Sequence, residues 1–415
     1  MKLKLSNKPV LKKIKEVNRV IIDLMFPIET KNSEVASRII LERCLNAYSN
    51  KYRDNESFLK KQDSLYILKY SCNHISFKDV TYLKFSLVVP KEGRIDEFNF
   101  KEALEFFHDA IYDPCIKDNI FDKKMFDSEK EFLLEKEDAY PRDIYDYVYD
   151  KYYEFVDKDE LIGVHHDTYM KELNNITSKK LYEFYKRSIL NNKYIVYIYG
   201  AIDNNTETIF KKVFNDKIVN YILDTSFFLF DRDYDYKHKE ETTKYNQSAV
   251  FLHYVIKDMK EKELMYQMML YFFLESRENA ILYNALRTDN NIIYSSKTVN
   301  RKHFGCFDVV VYYNDVEYKE IQDIITKAIK SLYDEEFFNE CKNRLIKSLN
   351  YDLLYKEDEP FGNVLEVIET SISDEIKFKK KIKELSKINY YDFSCFLDRV
   401  ILTKSYLFKG GDKNV

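Results

Sequence analysis

The order of secondary-structure signals occurs twice along this chain, and this repetition limits the folds that it can adopt. Three β-rich segments in the first half predict strands at Arg19–Phe26, Leu83–Pro90 and Tyr194–Gly200. The second half has matching segments at Ser248–Ile256, Cys306–Tyr313 and Ser405–Gly411. The offsets between their first residues (19 to 248, 83 to 306 and 194 to 405) are 229, 223 and 211. This slow drift predicts a duplicated α+β unit.

Segments with apolar residues at helical spacing lie between these strands in both halves. Those in the first half are Ser33–Ser49, Phe98–Ile111, Lys124–Glu137, Tyr145–Phe155 and Ser178–Ile189. Those in the second half are Lys262–Glu275, Ala280–Arg287, Glu317–Tyr333 and Glu336–Tyr355, with a further predicted strand at Ile292–Val299. The polar segment Asp231–Tyr245 has no apolar periodicity and predicts a linker. We therefore expect domains at 1–228 and 247–415, joined by residues 229–246.

Composition and missing motifs exclude several function classes. The 415 residues have a net charge of −4, whereas a nucleic-acid-binding protein would need a basic face. With seven glycines there is no G-x-G-x-x-G, G-x-x-x-x-G-K-[ST] or G-x-S-x-G, so phosphate cradles and a nucleophile elbow have no support. The six cysteines lie far apart, and no secretory signal or membrane span is evident. These features predict a cytoplasmic protein without disulfides.

Three local clusters have both a functional and a structural interpretation. His165, His166 and Asp167 are adjacent, so a metal site there would need ligands from elsewhere, and a solvated loop is expected. The Tyr- and acid-rich segment 138–160 predicts an amphipathic helix, with an acidic lining for basic peptides as the weaker alternative. Cys44 follows Arg43, and a neighbouring cation lowers a thiol pKa, which leaves a cysteine nucleophile as a remote alternative.

Three passages of the sequence are similar to one known family. The first is the strand and the helix that holds RIILERC (Arg38–Cys44). The second is Phe126–Glu154, which begins FDSEKEFLLEKED and is followed by the pattern Ile176–Asp203, and the third is ILYNALRTDNNIIYSSKTV (Ile281–Val299). Together with the repeated α+β pattern they resemble the pitrilysin-like, or insulinase-type, zinc peptidases, and in particular the short bacterial members. The resemblance implies two tandem homologous α/β sandwich-like domains. Each would have an antiparallel-rich sheet packed with helices, and together they would form half of a clamshell.

The zinc motif of that family is degenerate in this chain. Active members carry H-x-x-E-H on the first helix, because two imidazoles one turn apart bind zinc and the glutamate between them activates water. The resemblance aligns Ile39 and Arg43 with the two histidines and keeps Glu42. Neither isoleucine nor arginine can bind zinc, and the motif occurs nowhere in the chain. The helix that gives the family its third ligand contains Glu135 and Glu137. We therefore expect no catalytic residue, metal or cofactor here, and we expect Glu42 to be a surface or salt-bridging glutamate.

The resemblance also implies a substrate-binding role for Arg287 and Tyr294. In heterodimeric members that lack zinc, an arginine and a tyrosine at these places face the zinc of the partner and bind the peptide backbone or its C-terminal end. An arginine fork suits a carbonyl or carboxylate, and a tyrosine hydroxyl can donate to an oxyanion. The structural alternative is a helix-end cation and one strand aromatic among 36 tyrosines. The Gly- and Ser-rich loop usual before this arginine is absent, since Phe273–Arg287 contains no glycine.

The resemblance implies that this chain is the non-catalytic, substrate-binding subunit of a heterodimeric zinc metallopeptidase. A homologous partner subunit would supply the zinc, and the substrates would be small unfolded peptides. Bacterial heterodimers of this type are similar to processing enzymes for ribosomally made peptides, so a bacteriocin-type precursor is the first substrate expectation and general peptide turnover the second. A non-enzymatic scaffold or peptide-binding protein of the same fold is the alternative.

Overall fold

The computed structural model describes residues 9–29, 31–77, 80–214, 234–275, 280–288, 293–301, 304–314, 316–359, 361 and 377–411. The strands are β1 (Val10–Lys13), β2 (Arg19–Glu29), β3 (Lys69–Phe77), β4 (Val80–Pro90), β5 (Ile116–Lys117), β6 (Ile120–Phe121), β7 (Ile195–Gly200), β8 (Lys237–Thr242), β9 (Ser248–Ile256), β10 (Ile293–Arg301), β11 (Cys306–Tyr313) and β12 (Val400–Lys409).

The helices before β8 are α1 (Val35–Ala47), α2 (Asn55–Ser64), α3 (Phe100–Tyr112), α4 (Lys123–Asp138), α5 (Ile144–Val156), α6 (His166–Asn175), α7 (Ser178–Tyr185) and α8 (Thr206–Val213). Those after it are α9 (Leu264–Glu275), α10 (Ile281–Tyr283), α11 (Tyr318–Lys330), α12 (Glu335–Asp358), α13 (Phe378–Lys387) and α14 (Tyr390–Leu397). A π-helical turn extends α7 through Lys186–Leu190, and another extends α10 through Asn284–Thr288. Within the described residues, no helix combines the length and the apolar character needed to cross a bilayer.

Two five-stranded sheets have the same strand order. The first is β1-β7-β2-β4-β3, and the second, read from its β8 edge, is β8-β12-β9-β11-β10. Only the edge pairs β1–β7 and β8–β12 are parallel, while the other neighbours are antiparallel. This correspondence confirms the predicted duplication of one α+β unit with an antiparallel-rich sheet.

The described residues divide into two compact units that are not continuous in sequence. Unit 1 draws on Met1–Ala139, Val164–Thr225 and Lys356–Glu375, and unit 2 on Tyr140–Gly163, Ser226–Tyr355 and Ile376–Val415. The expected domains 1–228 and 247–415 therefore describe the sequence repeat, whereas each compact unit takes one segment from the opposite half. Of the expected linker 229–246, residues Lys237–Thr242 form β8 on the edge of the second sheet. A polar segment can form this strand because its backbone pairs with β12.

Both faces of the central strands are buried, which explains their continuous apolar sequences. In β9, Val250 and Leu252 face the core that contains α9 and α11, while Ala249 and Phe251 face the core that contains α5. The apolar positions of α5 recur every four residues and pack on this second face: Ile144, Val148, Tyr152 and Val156. The helix of segment 140–163 thus completes the core of unit 2.

The corresponding face of the first sheet has its own small core. Its fully buried members are Met25, Tyr82, Ile195, Tyr197 and Tyr199. Phe361, which comes from the second half of the sequence, packs against this core, with its ring centroid 6.1 Å from that of Tyr199. The guanidinium of Arg19 lies 4.4 Å from the centroid of the same Phe361 ring. Each compact unit therefore contains apolar residues from both halves of the chain.

Candidate functional site

Helix α1 carries Ile39, Glu42 and Arg43, the residues that the resemblance aligns with the zinc motif, and it is fixed to the edge strand β3. Asn46 Nδ2 donates a hydrogen bond to the Cys72 carbonyl at 2.7 Å, and Cys72 N donates to Asn46 Oδ1 at 2.6 Å. One turn earlier on the helix, Glu42 Oε1 lies 2.6 Å from His74 Nδ1. The carboxylate of Glu42 therefore joins the helix to the strand. Ile39, on the preceding turn, packs against the apolar core of unit 1.

Arg43 pairs with a buried carboxylate on α4. Its Nε donates to Glu129 Oε2 at 2.5 Å, and the Tyr48 hydroxyl donates to Glu129 Oε1 at 3.2 Å. The guanidinium carbon of Arg43 lies 4.0 Å from the ring centroid of Phe132, one turn further along α4. The side chain of Glu129 is 9% exposed and that of Arg43 is 35% exposed. Arg43 thus connects α1 to α4 through an ion pair and a cation–π contact.

Glu129, which the sequence did not identify, is the glutamate of α4 that pairs with Arg43. Glu135 is exposed, and Glu137 Oε2 lies 3.6 Å from His166 Nδ1 instead of near α1. Of the α4 glutamates, Glu129 is the one that the structure pairs with Arg43 of α1. The buried residues of α4 are Met125, Phe126, Glu129 and Leu133. A glutamate among apolar positions was the signal that could have identified it.

These residues do not fit a zinc ion. Ile39 has no ligand atom, Arg43 is a cation that offers only donors, and Glu42 is hydrogen-bonded to His74. Among the described residues, no three His, Cys, Asp or Glu side chains converge as metal ligands would. The donor set and the geometry therefore agree that this part of unit 1 is not a metal centre.

The cysteine-nucleophile alternative is not supported either. Cys44 is 1% exposed within the apolar core of unit 1. Burial raises the pKa of its thiol well above the ordinary value, and the charge of Glu129 raises that pKa further, more than Arg43 lowers it. A reactive cysteine needs a lowered thiol pKa and access to solvent. Cys44 is therefore a core residue.

The predicted substrate-binding residues lie in unit 2. Arg287 is exposed on the π-helical turn Asn284–Thr288, with its guanidinium carbon 5.8 Å from the ring centroid of Tyr283. The backbone of Tyr294 belongs to β10, where the pairing with β11 shifts register between Ile293 and Ser295. The side chain of Tyr294 and residues 289–292 lie outside the described residues. Both π-helical turns and strand irregularities are frequent at functional sites, so the local backbone is compatible with the prediction.

The other two local clusters are structural. Residues 163–165 of the expected loop precede α6, and His166 begins that helix. In α5 the carboxylate of Asp146 accepts hydrogen bonds from Arg142, and that of Glu154 pairs with Lys151 at 2.9 Å. Both of these acids of α5 are therefore paired with a neighbouring cation.

Comparisons with known proteins add a partial sequence match and full-length structural matches. The family described as "Peptidase M16 inactive domain" matches residues 175–345, a range that includes Arg287 and Tyr294. A search of curated proteins found no match. A conserved protein from Enterococcus faecalis V583 superposes with a TM-score of 0.80 at 14% identity, covering 100% of both chains.

Two further structures relate the fold to peptidases. A peptidase M16 inactive domain from Pseudomonas fluorescens has a TM-score of 0.68 at 12% identity, covering 99% of this chain and 98% of that one. The periplasmic protease PqqL from Escherichia coli has a TM-score of 0.64 at 11% identity, covering 97% of this chain and 44% of PqqL. At these identities the likeness concerns the fold, and this chain corresponds in length to about half of PqqL.

Proposed function

We propose that this chain, a pitrilysin-like protein of the M16 type, is the substrate-binding subunit of a heterodimeric zinc metallopeptidase. The resemblance seen in the sequence is confirmed by the match to an inactive M16 domain and by the M16-type structural neighbours. Those findings also support a non-catalytic, M16-like subunit. The heterodimer, its peptide substrate and a cytoplasmic location belong to the proposal.

The observation that carries the proposal is what the three residues at the zinc-motif positions contact in this chain. Ile39 packs against the apolar core, Glu42 is bound to His74 and Arg43 is bound to Glu129. A peptidase of this type needs two imidazoles and a free glutamate on α1 to hold zinc and activate water. Because this chain lacks both imidazoles, a homologous partner subunit would have to supply H-x-x-E-H and the zinc.

Arg287 and Tyr294 are the residues through which this chain would bind the substrate. Arg287 is exposed and held near the ring of Tyr283, so its planar fork is available to a peptide carbonyl or carboxylate. We expect the substrates to be small unfolded peptides, with a ribosomally made, bacteriocin-type precursor as the first candidate. Zinc held by the partner would supply the activated water, and Arg287 and Tyr294 of this chain would position the peptide for hydrolysis.

A non-enzymatic, peptide-binding scaffold of the same fold is the second candidate. Its support is the sequence before Arg287, because Phe273–Arg287 has no glycine and so lacks the flexible loop usual in the family. The scaffold would bind a partner or a peptide without contributing to hydrolysis.

Reconstitution separates the two functions. Peptide cleavage and zinc content would be measured for this chain, for a homologous chain that carries H-x-x-E-H, and for an equimolar mixture. We expect that only the mixture cleaves and that zinc follows the partner. Cleavage by this chain alone would contradict the proposal, and an unaltered partner activity in the mixture would favour the scaffold.

Variants of the reconstituted pair test the two residues. Arg287→Ala or Tyr294→Phe should each lower kcat/KM by about tenfold to a hundredfold, the effect of losing a hydrogen bond that involves a charged group. Lys330→Ala removes an exposed cation on α11 and Tyr355→Phe an exposed hydroxyl on α12, so these matched controls should leave kcat/KM unchanged. Equal effects of variants and controls would remove the site assignment.

A further inference from the structure

The fold family implies a metal ion between the first helix and a glutamate on the later helix, and this chain has an ion pair at that junction. We propose that Arg43 is an internal cation that takes the place of the metal, holds α4 against α1 and keeps zinc out of this chain. The inference concerns unit 1 alone and holds whether or not the chain works with a zinc-bearing partner.

The contacts of Glu129 are the first support. Its Oε2 accepts from Arg43 at 2.5 Å and its Oε1 accepts from Tyr48 at 3.2 Å, so each carboxylate oxygen already has a donor. A carboxylate this deeply buried needs a counter-charge, and the guanidinium supplies it. A divalent cation would have to compete with these donors and would meet the positive charge of Arg43.

The orientation of Arg43 is the second support. Its guanidinium carbon lies 4.0 Å from the ring centroid of Phe132. The guanidinium group is therefore held by the face of this α4 ring as well as by Glu129. Phe132 itself is 48% exposed, so the guanidinium and the ring meet at the surface of α4. The junction therefore has a fixed cation with two partners on the same helix.

Thermal unfolding of single and double variants tests the first part of the proposal, that Arg43 holds α4 against α1. Arg43→Met should lower the Tm of unit 1 by about 5–10 °C, because it leaves Glu129 buried without a counter-charge. Adding Glu129→Gln should recover part of that loss, so the double variant should melt above Arg43→Met. Glu135→Gln, on the exposed side of α4, is the control and should shift Tm by no more than about 2 °C. A double variant that melts at the sum of the two single losses would overturn the proposal.

Metal content tests the second part of the proposal, that Arg43 keeps zinc out of this chain. After incubation with zinc chloride and desalting, the unaltered chain should retain no zinc, and a chelator should not change its Tm. Ile39→His/Arg43→His removes the cation and adds two imidazoles, so zinc should raise its Tm, and adding Glu129→Gln should abolish that rise. Stoichiometric zinc in the unaltered chain would refute the exclusion by Arg43. So would a folded Ile39→His/Arg43→His variant, identified by an unchanged circular-dichroism spectrum, whose Tm does not respond to zinc.

Discussion

A buried charged residue can be stabilised by several side chains that hydrogen-bond to it or carry the opposite charge, and Asp308 is the clearest case in this chain. It is 1% exposed on β11, its Oδ1 lies 2.7 Å from His253 Nδ1, and its Oδ2 accepts from Arg301 Nε at 3.0 Å. The hydroxyl of Tyr152, on α5, also donates to Asp308. Burial alone would raise the pKa of Asp308, but the hydrogen bond and charge of His253 and the charge of Arg301 lower it overall. The Asp308 carboxylate therefore connects α5 to the sheet of unit 2.

Asp308→Asn should destabilise unit 2 by about 3–5 kcal/mol, because the substitution leaves Arg301 largely buried without its counter-charge. The measurement is urea unfolding at pH 7. Asp323→Asn on the exposed face of α11 is the matched control and should change the free energy of unfolding by no more than about 0.5 kcal/mol. Equal effects at the two positions would show that Asp308 does not stabilise the fold through its charge.

The lowered pKa of Asp308 predicts a loss of stability in acid. A carboxyl group with a depressed pKa in the folded state stabilises the protein above the unfolded pKa of about 3.9, and this contribution disappears as pH falls through the folded pKa. Unfolding free energy measured from pH 5 downwards should therefore fall below about pH 4. Asp308→Asn should show a shallower slope there, and parallel slopes for the two proteins would contradict the assignment.

At the scale of elements, α1 is capped by a side chain from another helix. Glu172 on α6 accepts from Ala36 N at 2.7 Å through Oε2, and from Ser37 N at 3.0 Å and Ser37 Oγ at 2.6 Å through Oε1. The residue before the helix, Glu34, makes no side-chain cap. A carboxylate at a helix N-terminus satisfies free N–H groups and interacts favourably with the helix dipole. Glu172 therefore fixes both the start of α1 and its contact with α6.

Glu172→Ala should cost about 1–2 kcal/mol of stability, the usual effect of losing an N-cap acceptor. Glu172→Gln keeps one acceptor oxygen and should cost less. The amide protons of Ala36 and Ser37 should exchange faster in Glu172→Ala, which hydrogen exchange measures directly. Glu183→Ala on the exposed face of α7 should leave both properties unchanged, and unchanged exchange at Ala36 would contradict the cap.

The elements that the sequence predicted well are those with a strong apolar signal. The predicted strands Ser248–Ile256 and Cys306–Tyr313 agree with β9 and β11 at both ends, since both strands are buried on both faces. The strand β8 could not be predicted, because its sequence KHKEET is polar and most of its side chains are exposed at the sheet edge. Glu129 was missed because only the packing of α4 shows which of its glutamates faces α1.

The partition into compact units could not be predicted from the order of elements. The sequence repeat was visible, but an amphipathic helix such as α5 does not show in its own sequence which sheet its apolar face will cover. The structure places Val148 and Tyr152 in one core with Phe251 and Tyr406, residues about one hundred or more positions later. Separating the chain at the repeat boundary would therefore remove a helix from unit 2.

Expressing residues 1–228 and 229–415 as two polypeptides tests this whole-molecule organisation. Alone, the second polypeptide should bind a hydrophobic dye and aggregate, because without α5 it exposes Phe251, Tyr406 and Phe408. Co-expression should restore a soluble pair, since α5 can again cover this sheet face. Val148→Asp in the first polypeptide should prevent pairing, because it places a charge in that core, whereas Leu59→Asp at an exposed site of α2 should not. A soluble, dye-negative second polypeptide would show that unit 2 does not need α5, and pairing unaffected by Val148→Asp would show that other contacts hold the two polypeptides together.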